Sequence, residues 1–321
     1  MTIETRLTRL LGVKHPILSA PMAFAAGGAL AGAVSAAGGF GLIGGGYGEA
    51  DWLAREQAAA GNQRVGCGFI TWSLAKNPAL LDATLAHRPV AIMLSFGDPA
   101  PFARSVLDAG AVLICQVQSM AHARAAIDAG AAIIVAQGGE AGGHGALRGA
   151  LTLVPEIADL LTRTAPQVVL VAAGGIADGR GLAAALMLGA EGALIGSRFW
   201  ASREALVHAN HHAAALAANG DGTVRQTATD IARGLDWPHE FSARILQNDF
   251  TRRFAGREAQ AGAELAAYGP KYVAAFAAGD AQRAGVWVGE ATGLIKDIPS
   301  AGEIVERIVA QAEGRLANWR R

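Results

Sequence analysis

Apolar residues in this chain fall into short unbroken runs, and the runs recur. Eight stand out: Ile17–Met22, Phe40–Gly45, Val65–Ile70, Val90–Ser95, Val112–Val117, Ala132–Gln137, Val168–Gly174 and Ala193–Phe199. They end at glycine, serine or polar residues. Most are followed by alanine-rich stretches of helical texture, such as Gly28–Ala37, Asp51–Ala60, Pro101–Ala109, Met120–Ala129, Val154–Thr164 and Gly181–Leu188. Several of these close on an Ala-Gly or Gly-Ala step, where glycine supplies the left-handed cap that turns the chain back. Strands that are apolar throughout, rather than alternating, belong to a parallel sheet covered on both faces.

Eight strand–helix units are the number that closes a (β/α)8 TIM barrel. The competing architecture, a doubly wound open sheet, lacks its usual mark, since no G-x-G-x-x-G opens the first helix with an acid at the expected spacing. After Ser202 the texture changes. From His208 to about Ala284 the pattern is helical without strand runs, which predicts a helical insertion or cap after strand eight. The expected division is therefore a barrel of residues 1–205 and 285–321, with 206–284 as a helical domain on the substrate side. A last amphipathic helix, Ala301 to about Ala317, returns as the eighth barrel helix, with Ser300 as N-cap and Glu303 completing a capping box.

Composition narrows the function. Lys plus Arg equals Asp plus Glu, 27 against 27, so no basic surface for nucleic acid is expected. Pro16–Gly48 carries no charge and exceeds a membrane span in length, yet its prolines and glycines break it into strand, helix and strand. No signal peptide is evident at the N-terminus. Cys67 and Cys115, each inside an apolar run, read as buried free thiols of a reducing, cytoplasmic setting. His208, His211 and His212 share a helical spacing, but no further ligand stands near them, so no metal site is expected. No Gly-x-Ser-x-Gly elbow or Walker loop occurs.

Chemistry in a barrel gathers at the C-terminal ends of the strands. Strand six delivers Gln137, Glu140 and His144 on a loop whose glycines let backbone amides approach a ligand. His144 is the residue there that exchanges protons near neutrality. Strands seven and eight deliver Gly174 and Gly175, with Asp178 as a helix cap, and then Gly196 and Ser197, a pairing of loops that often holds phosphate. Strand one ends in Ala20, Pro21 and Met22, and strand five in Gln116. Trp72, Phe96, Trp200 and Trp237 are candidates for the substrate pocket or for simple core.

Gln137–His144, QGGEAGGH, resembles the signature loop of nitronate monooxygenases, formerly 2-nitropropane dioxygenases. PILSAPM at 16–22, AAGGIADGRG at 172–181, LIGSRFWASRE at 194–204 and GVWVGEATGLIKDI at 285–298 extend the resemblance along nearly the whole chain. It implies a TIM barrel that binds FMN without a covalent link. By position, Gln137, Gly142, Gly143, Gly174, Gly175, Leu194, Ile195, Gly196 and Ser197 would hold the cofactor, mostly its phosphate and ribitol. Ala20, Pro21 and Met22 would sit by the ring, with Gly68 and Gln116 beside it, and His144 would be the catalytic histidine. Two positions depart from the family pattern. Gly68 replaces a flavin-touching asparagine, and Gln116 stands where some relatives carry lysine.

The implied activity is oxidative denitrification of alkyl nitronates with O2, giving a carbonyl compound and nitrite. The alternatives are an NAD(P)H-dependent flavin reductase acting on a quinone or enoyl thioester, and a catalytically silent FMN-binding scaffold. A homodimer is left open.

Overall fold

The computed structural model describes residues 3–319. In chain order its strands are β1 (Ile17–Ser19), β2 (Gly41–Gly44), β3 (Val65–Ile70), β4 (Ala91–Ser95), β5 (Val112–Val117), β6 (Ile133–Gln137), β7 (Gly143–Gly145), β8 (Val169–Ala173), β9 (Ala193–Ile195), β10 (Thr223–Gln226) and β11 (Ser242–Leu246). One sheet of eight strands runs β1-β9-β8-β6-β5-β4-β3-β2, every named pair parallel. Its two ends meet in a parallel bridge from Leu18 to Phe40. There the Ser19 amide donates to the Phe40 carbonyl and the Phe40 amide to the Ile17 carbonyl. The sheet is therefore closed, and the expected TIM barrel is present.

Successive residues of a strand point to opposite faces, and here both faces are dry. In β6, Ile133 and Val135 fill the barrel interior, while Ile134 and Ala136 pack under the outer helices. β8 does the same, with Val169 and Val171 inside and Leu170 and Ala172 outside. That double burial is why the runs read as continuously apolar. Leu7 and Leu11, from the helix Arg6–Leu11, join the interior cluster and plug the barrel's N-terminal end.

The final helix, Ala301–Trp319, buries Ile304, Val305 and Ile308 against Leu182 and Ile17 in the helical layer. Its expected cap is formed. Ser300 Oγ accepts from the Glu303 amide at 3.2 Å, and the Ser300 amide donates to Glu303 Oε2 at 2.9 Å.

Between β9 and that helix the structure departs from the all-helical expectation. Helices Ala209–Ala217, Ala228–Ala232, Asp249–Phe254 and Gly262–Ala277 are there, but so are β10 and β11. These two strands pair antiparallel with each other, and β11 takes β7 on its other edge, again antiparallel, as the third strand of the sheet. Their runs, Thr-Val-Arg-Gln and Ser-Ala-Arg-Ile-Leu, carry Arg225 and Arg244 at mid-strand. The arginines give each run a polar face, which hid it among the helical segments. The helical part has its own core of Phe250, Phe254, Leu265 and Tyr272.

Candidate active site

His144 is the central residue of β7, opposite Ala243 of β11. The glycine-rich loop after β6 is thus the edge of a small sheet rather than a free turn. Two arginines tie it down. Arg225 donates from Nη2 to the Gly139 carbonyl at 3.0 Å and from Nη1 to those of Gly145 and Ser242, at 3.1 and 2.7 Å. Arg244 reaches the same Gly139 carbonyl from Nε at 3.1 Å and pairs with Glu290 at 2.8 Å. Burial, reinforced by Arg244, pushes the Arg225 guanidinium down to about 10, still cationic at neutral pH.

The barrel side contributes Gln137, whose amide is spent within the protein. Its Nε2 donates to the His144 carbonyl at 3.1 Å, and its Oε1 accepts from Gln118 Nε2 at 2.9 Å. Gln137 therefore positions His144. Glu140 is likewise occupied, both carboxylate oxygens accepting from the Ala150 amide at 3.0 and 3.1 Å as a cap on the helix Ala150–Thr164.

The His144 imidazole is buried and meets a residue that sequence reasoning missed. Its Nε2 lies 2.9 Å from Asp230 Oδ2, on the helix Ala228–Ala232. Asp230 is only 2% exposed, and its Oδ1 has no partner. Trp237 lies flat on the imidazole, with ring centroids 3.4 Å apart and planes 5° from parallel. Burial lowers the His144 pKa below the ordinary imidazole value, and the bond to Asp230 opposes that only in part. The ring is therefore neutral near pH 7. Because Asp230 accepts from Nε2, the lone pair rests on Nδ1.

Gln137, Glu140, His144 and Trp237 border a cavity of about 490 Å³ at the C-terminal mouth of the barrel, with Asp230 behind the imidazole. Of the expected cofactor residues, Ala20, Pro21, Met22, Gly68 and Gln116 line it from strands one, three and five. Gln137, Gly142, Gly143, Gly174 and Gly175 line it from the middle loops, and Leu194, Gly196 and Ser197 from β9 and the turn after it. Ile195 does not. Its side chain points out of the barrel and packs with Phe199 and Ile304 under the helices, as alternation along a strand requires.

Several glycines leave the cavity wall as bare backbone. A Cβ added at Gly143 meets nothing within 4 Å, and one at Gly196 finds only Ala20 Cβ at 3.7 Å and Met22 Sδ at 3.9 Å. Gly174 and Gly175 are consecutive left-handed residues, φ 95° and 72°. Such a turn exposes backbone N–H groups to an anion. Gly68 differs, since a Cβ there would lie 2.3 Å from Pro21 Cγ. The proline ring fills the place of a side chain, so the departure at Gly68 is matched by strand one.

The substrate side is aromatic. Tyr47, Phe96, Trp200, Trp237 and Trp287 line the cavity, whereas Trp72 stands behind Trp237 at 5.3 Å between ring centroids. Phe96, just past β4, holds a left-handed backbone, φ 64°. That strained conformation lets its ring meet Trp237 edge-on at 5.2 Å. Arg233 lies between two of these rings, its guanidinium carbon 5.1 Å from the Tyr47 centroid and 5.7 Å from that of Trp287. It has no carboxylate within salt-bridge range among the described residues. The signal that could have found Asp230 and Arg233 is their spacing of three beside Trp237-Pro238. Of the clustered histidines, His212 Nε2 contacts the Trp200 carbonyl at 2.9 Å, and His208 caps the helix Ala209–Ala217.

A sequence profile of the nitronate monooxygenase family matches residues 4–62 and 73–311. The chain belongs to the nitronate monooxygenase family. Membership makes it an oxidoreductase and implies a flavin. A nitronate monooxygenase of Neurospora crassa is 35% identical, the match covering 94% of this chain and 90% of that one. A (3aS,4S,5R,7aS)-5-hydroxy-7a-methyl-1-oxo-octahydro-1H-indene-4-carboxyl-CoA dehydrogenase of Mycobacterium tuberculosis is 30% identical over 97% of both chains. Among solved structures, FabK from Thermotoga maritima superposes with a TM-score of 0.88 at 31% identity over 99% of both chains. A nitroalkane oxidase from Streptomyces ansochromogenes gives 0.78 at 28% identity over 98% of this chain and 99% of that one. FabK and the nitroalkane oxidase thus share the fold of this chain over nearly its whole length.

Proposed function

We propose that the protein is an FMN-dependent nitronate monooxygenase, converting alkyl nitronates and O2 to a carbonyl compound and nitrite. The observation that carries the reading is His144, held 2.9 Å from the buried Asp230 carboxylate beside a glycine-walled cavity that Arg233 also lines. FMN fits this wall. The bare backbone at Gly143, Gly174, Gly175 and Gly196, with Ser197, suits its phosphate and ribitol, and Ala20, Pro21, Met22 and Gln116 suit a flat ring. Bound flavin supplies the redox chemistry that links the nitronate to dioxygen.

The protein's own part is placement and charge. Arg233 attracts the nitronate anion, and the aromatic rings exclude water around it. With its lone pair on Nδ1, His144 is suited to remove the α-proton of a neutral nitroalkane, forming the nitronate in place. Residues 206–284 act as the substrate-side domain, because they supply Asp230, Arg233 and Trp237. Two buried free thiols, Cys67 and Cys115, support a reducing, cytoplasmic setting. Burial pushes the Cys115 thiol up to about 12, and Cys67 higher still, so neither is a nucleophile. No helix among the described residues is long and apolar enough to cross a membrane.

The test is anaerobic. Addition of propionate-3-nitronate to the holoenzyme should bleach the flavin's visible band, while NADH and NADPH should leave it nearly unchanged. Fast bleaching by a nicotinamide alone would move the protein to the NAD(P)H-dependent reductases. His144→Asn should lower kcat/KM for neutral nitroalkanes by about 10²- to 10⁴-fold, with FMN still bound. Full turnover in that variant would remove the assignment.

A further inference from the structure

The cavity does not end at His144. It continues outward between the helices Ala209–Ala217 and Gly262–Ala277, past His211 and Phe276, whose rings are 5.3 Å apart. Two features of this outer lobe are unused by the chemistry described so far.

The first is His211. It is 3% exposed and lines the cavity, yet its Nε2 has no hydrogen-bond partner. A buried imidazole nitrogen without a partner is costly, so such groups are normally satisfied by something bound. Its neighbours do not serve, because the His208 ring is 6.0 Å away and His212 bonds to the Trp200 carbonyl. The second is the rim. Of the nine large apolar side chains exposed on the described surface, three border this cavity: Leu206 at 51%, Val273 at 59% and Phe276 at 41%. Scattered exposed apolar residues are ordinary, but a group gathered at the mouth of an active-site cavity marks a binding surface.

We infer that the outer lobe is a tail-binding subsite, and that the substrate is a nitronate whose apolar chain of several carbons passes between Phe276 and Leu206 and carries a hydroxyl or carbonyl that bonds to His211. The inference rests on the nitronate reading for the reacting end of the molecule and on the lobe alone for the tail. The occupant is the substrate itself, because the lobe is continuous with the cavity where the reaction takes place.

Steady-state kinetics of the holoenzyme with the nitronates of nitroethane, 1-nitrobutane and 1-nitrohexane decide the apolar part. Each methylene that enters the lobe should raise kcat/KM about fourfold, and a flat or falling series would overturn the subsite. Val273→Asp should reduce the hexyl-to-ethyl ratio by about tenfold. A ratio is insensitive to the fraction of protein that is folded and loaded, and an unchanged one counts against the subsite. For the polar part, 6-nitrohexan-1-ol nitronate should exceed the hexyl compound by about fivefold. His211→Leu should erase or invert that preference, and an unaltered preference would remove His211 from the proposal. If no nitronate is turned over at all, the activity reading fails, and calorimetry with butanoate, hexanoate and octanoate still decides the lobe. Affinity rising along that series supports the subsite, and equal affinity overturns it. A shift to dimer on dilution-series sedimentation, with the rim buried and no chain-length effect, would assign the rim to a second copy of this chain.

Discussion

At His144 two influences act on one proton. Burial disfavours the imidazolium, and Asp230 favours it, with burial the stronger. Replacing Asp230 by Asn removes the opposing charge but keeps an oxygen for Nε2–H. The pKa of His144 should therefore fall further, and the acidic limb of kcat/KM for a neutral nitroalkane should move to lower pH. The rate on the plateau should drop about 10- to 100-fold, the range found for outer partners of oriented, metal-bound imidazoles. A merely structural aspartate would change the plateau and leave the limb in place. Gly68 offers a second test at this scale. Asn at this position would place its Cβ against the Pro21 ring, so Gly68→Asn should destabilise the fold by about 1–3 kcal/mol. Restoring the family's asparagine should thus fail unless Pro21 is changed with it, and chemical denaturation of the single and double variants measures this.

The loop from Gly138 to Gly145 works as an element because other elements hold it. β11 pairs with it, and Arg225 and Arg244 share the carbonyl of Gly139. Arg225→Met would cut its bonds to the Gly139, Gly145 and Ser242 carbonyls. At about 1.5–3 kcal/mol for a hydrogen bond from a charged donor, partly compensated by Arg244, we expect a loss of roughly 3 kcal/mol and faster amide hydrogen exchange in the loop. Protection equal to wild type would show that β11 alone suffices. The same element shows what a sequence reveals. The loop itself was legible because its glycines and His144 are contiguous, and the barrel strands were legible because burial on both faces leaves unbroken apolar runs. β10 and β11 were not, since mid-strand arginines mask a four- or five-residue run. Asp230 lies 86 residues from His144, and its helix of five residues gives too little pattern to point across that distance. Ile195 shows a simpler limit. In a contiguous strand motif alternate residues face opposite ways, so its side chain lies under the helices while Leu194 and Gly196 line the cavity.

Across the whole molecule, the titrating groups that matter near neutrality are buried histidines from different regions. His15 lies at the N-terminal end of the barrel, His144 in the active site, and His211 and His212 in the cap. Burial lowers the pKa of each, as the leading cause in every case. In the unfolded chain they return to the ordinary value of about 6.5. As pH falls below that value the unfolded state takes up protons that the folded state refuses, so stability falls with pH until each lowered pKa is passed. The carboxylates act in a separate window. Asp178, held low chiefly by Arg180, and Asp297, held low by Arg307 and Arg198, release their stabilisation only near and below the ordinary carboxylate range of about 4. Between pH 7 and 5 the histidines therefore dominate. The urea midpoint of the holoenzyme should decline steadily across that interval, and the decline should be smaller in a His211→Leu, His212→Gln double variant. A midpoint constant from pH 7 to 5 would mean that these imidazoles are protonated as readily in the fold as in water, and with that the neutral His144 on which proton abstraction depends would be lost.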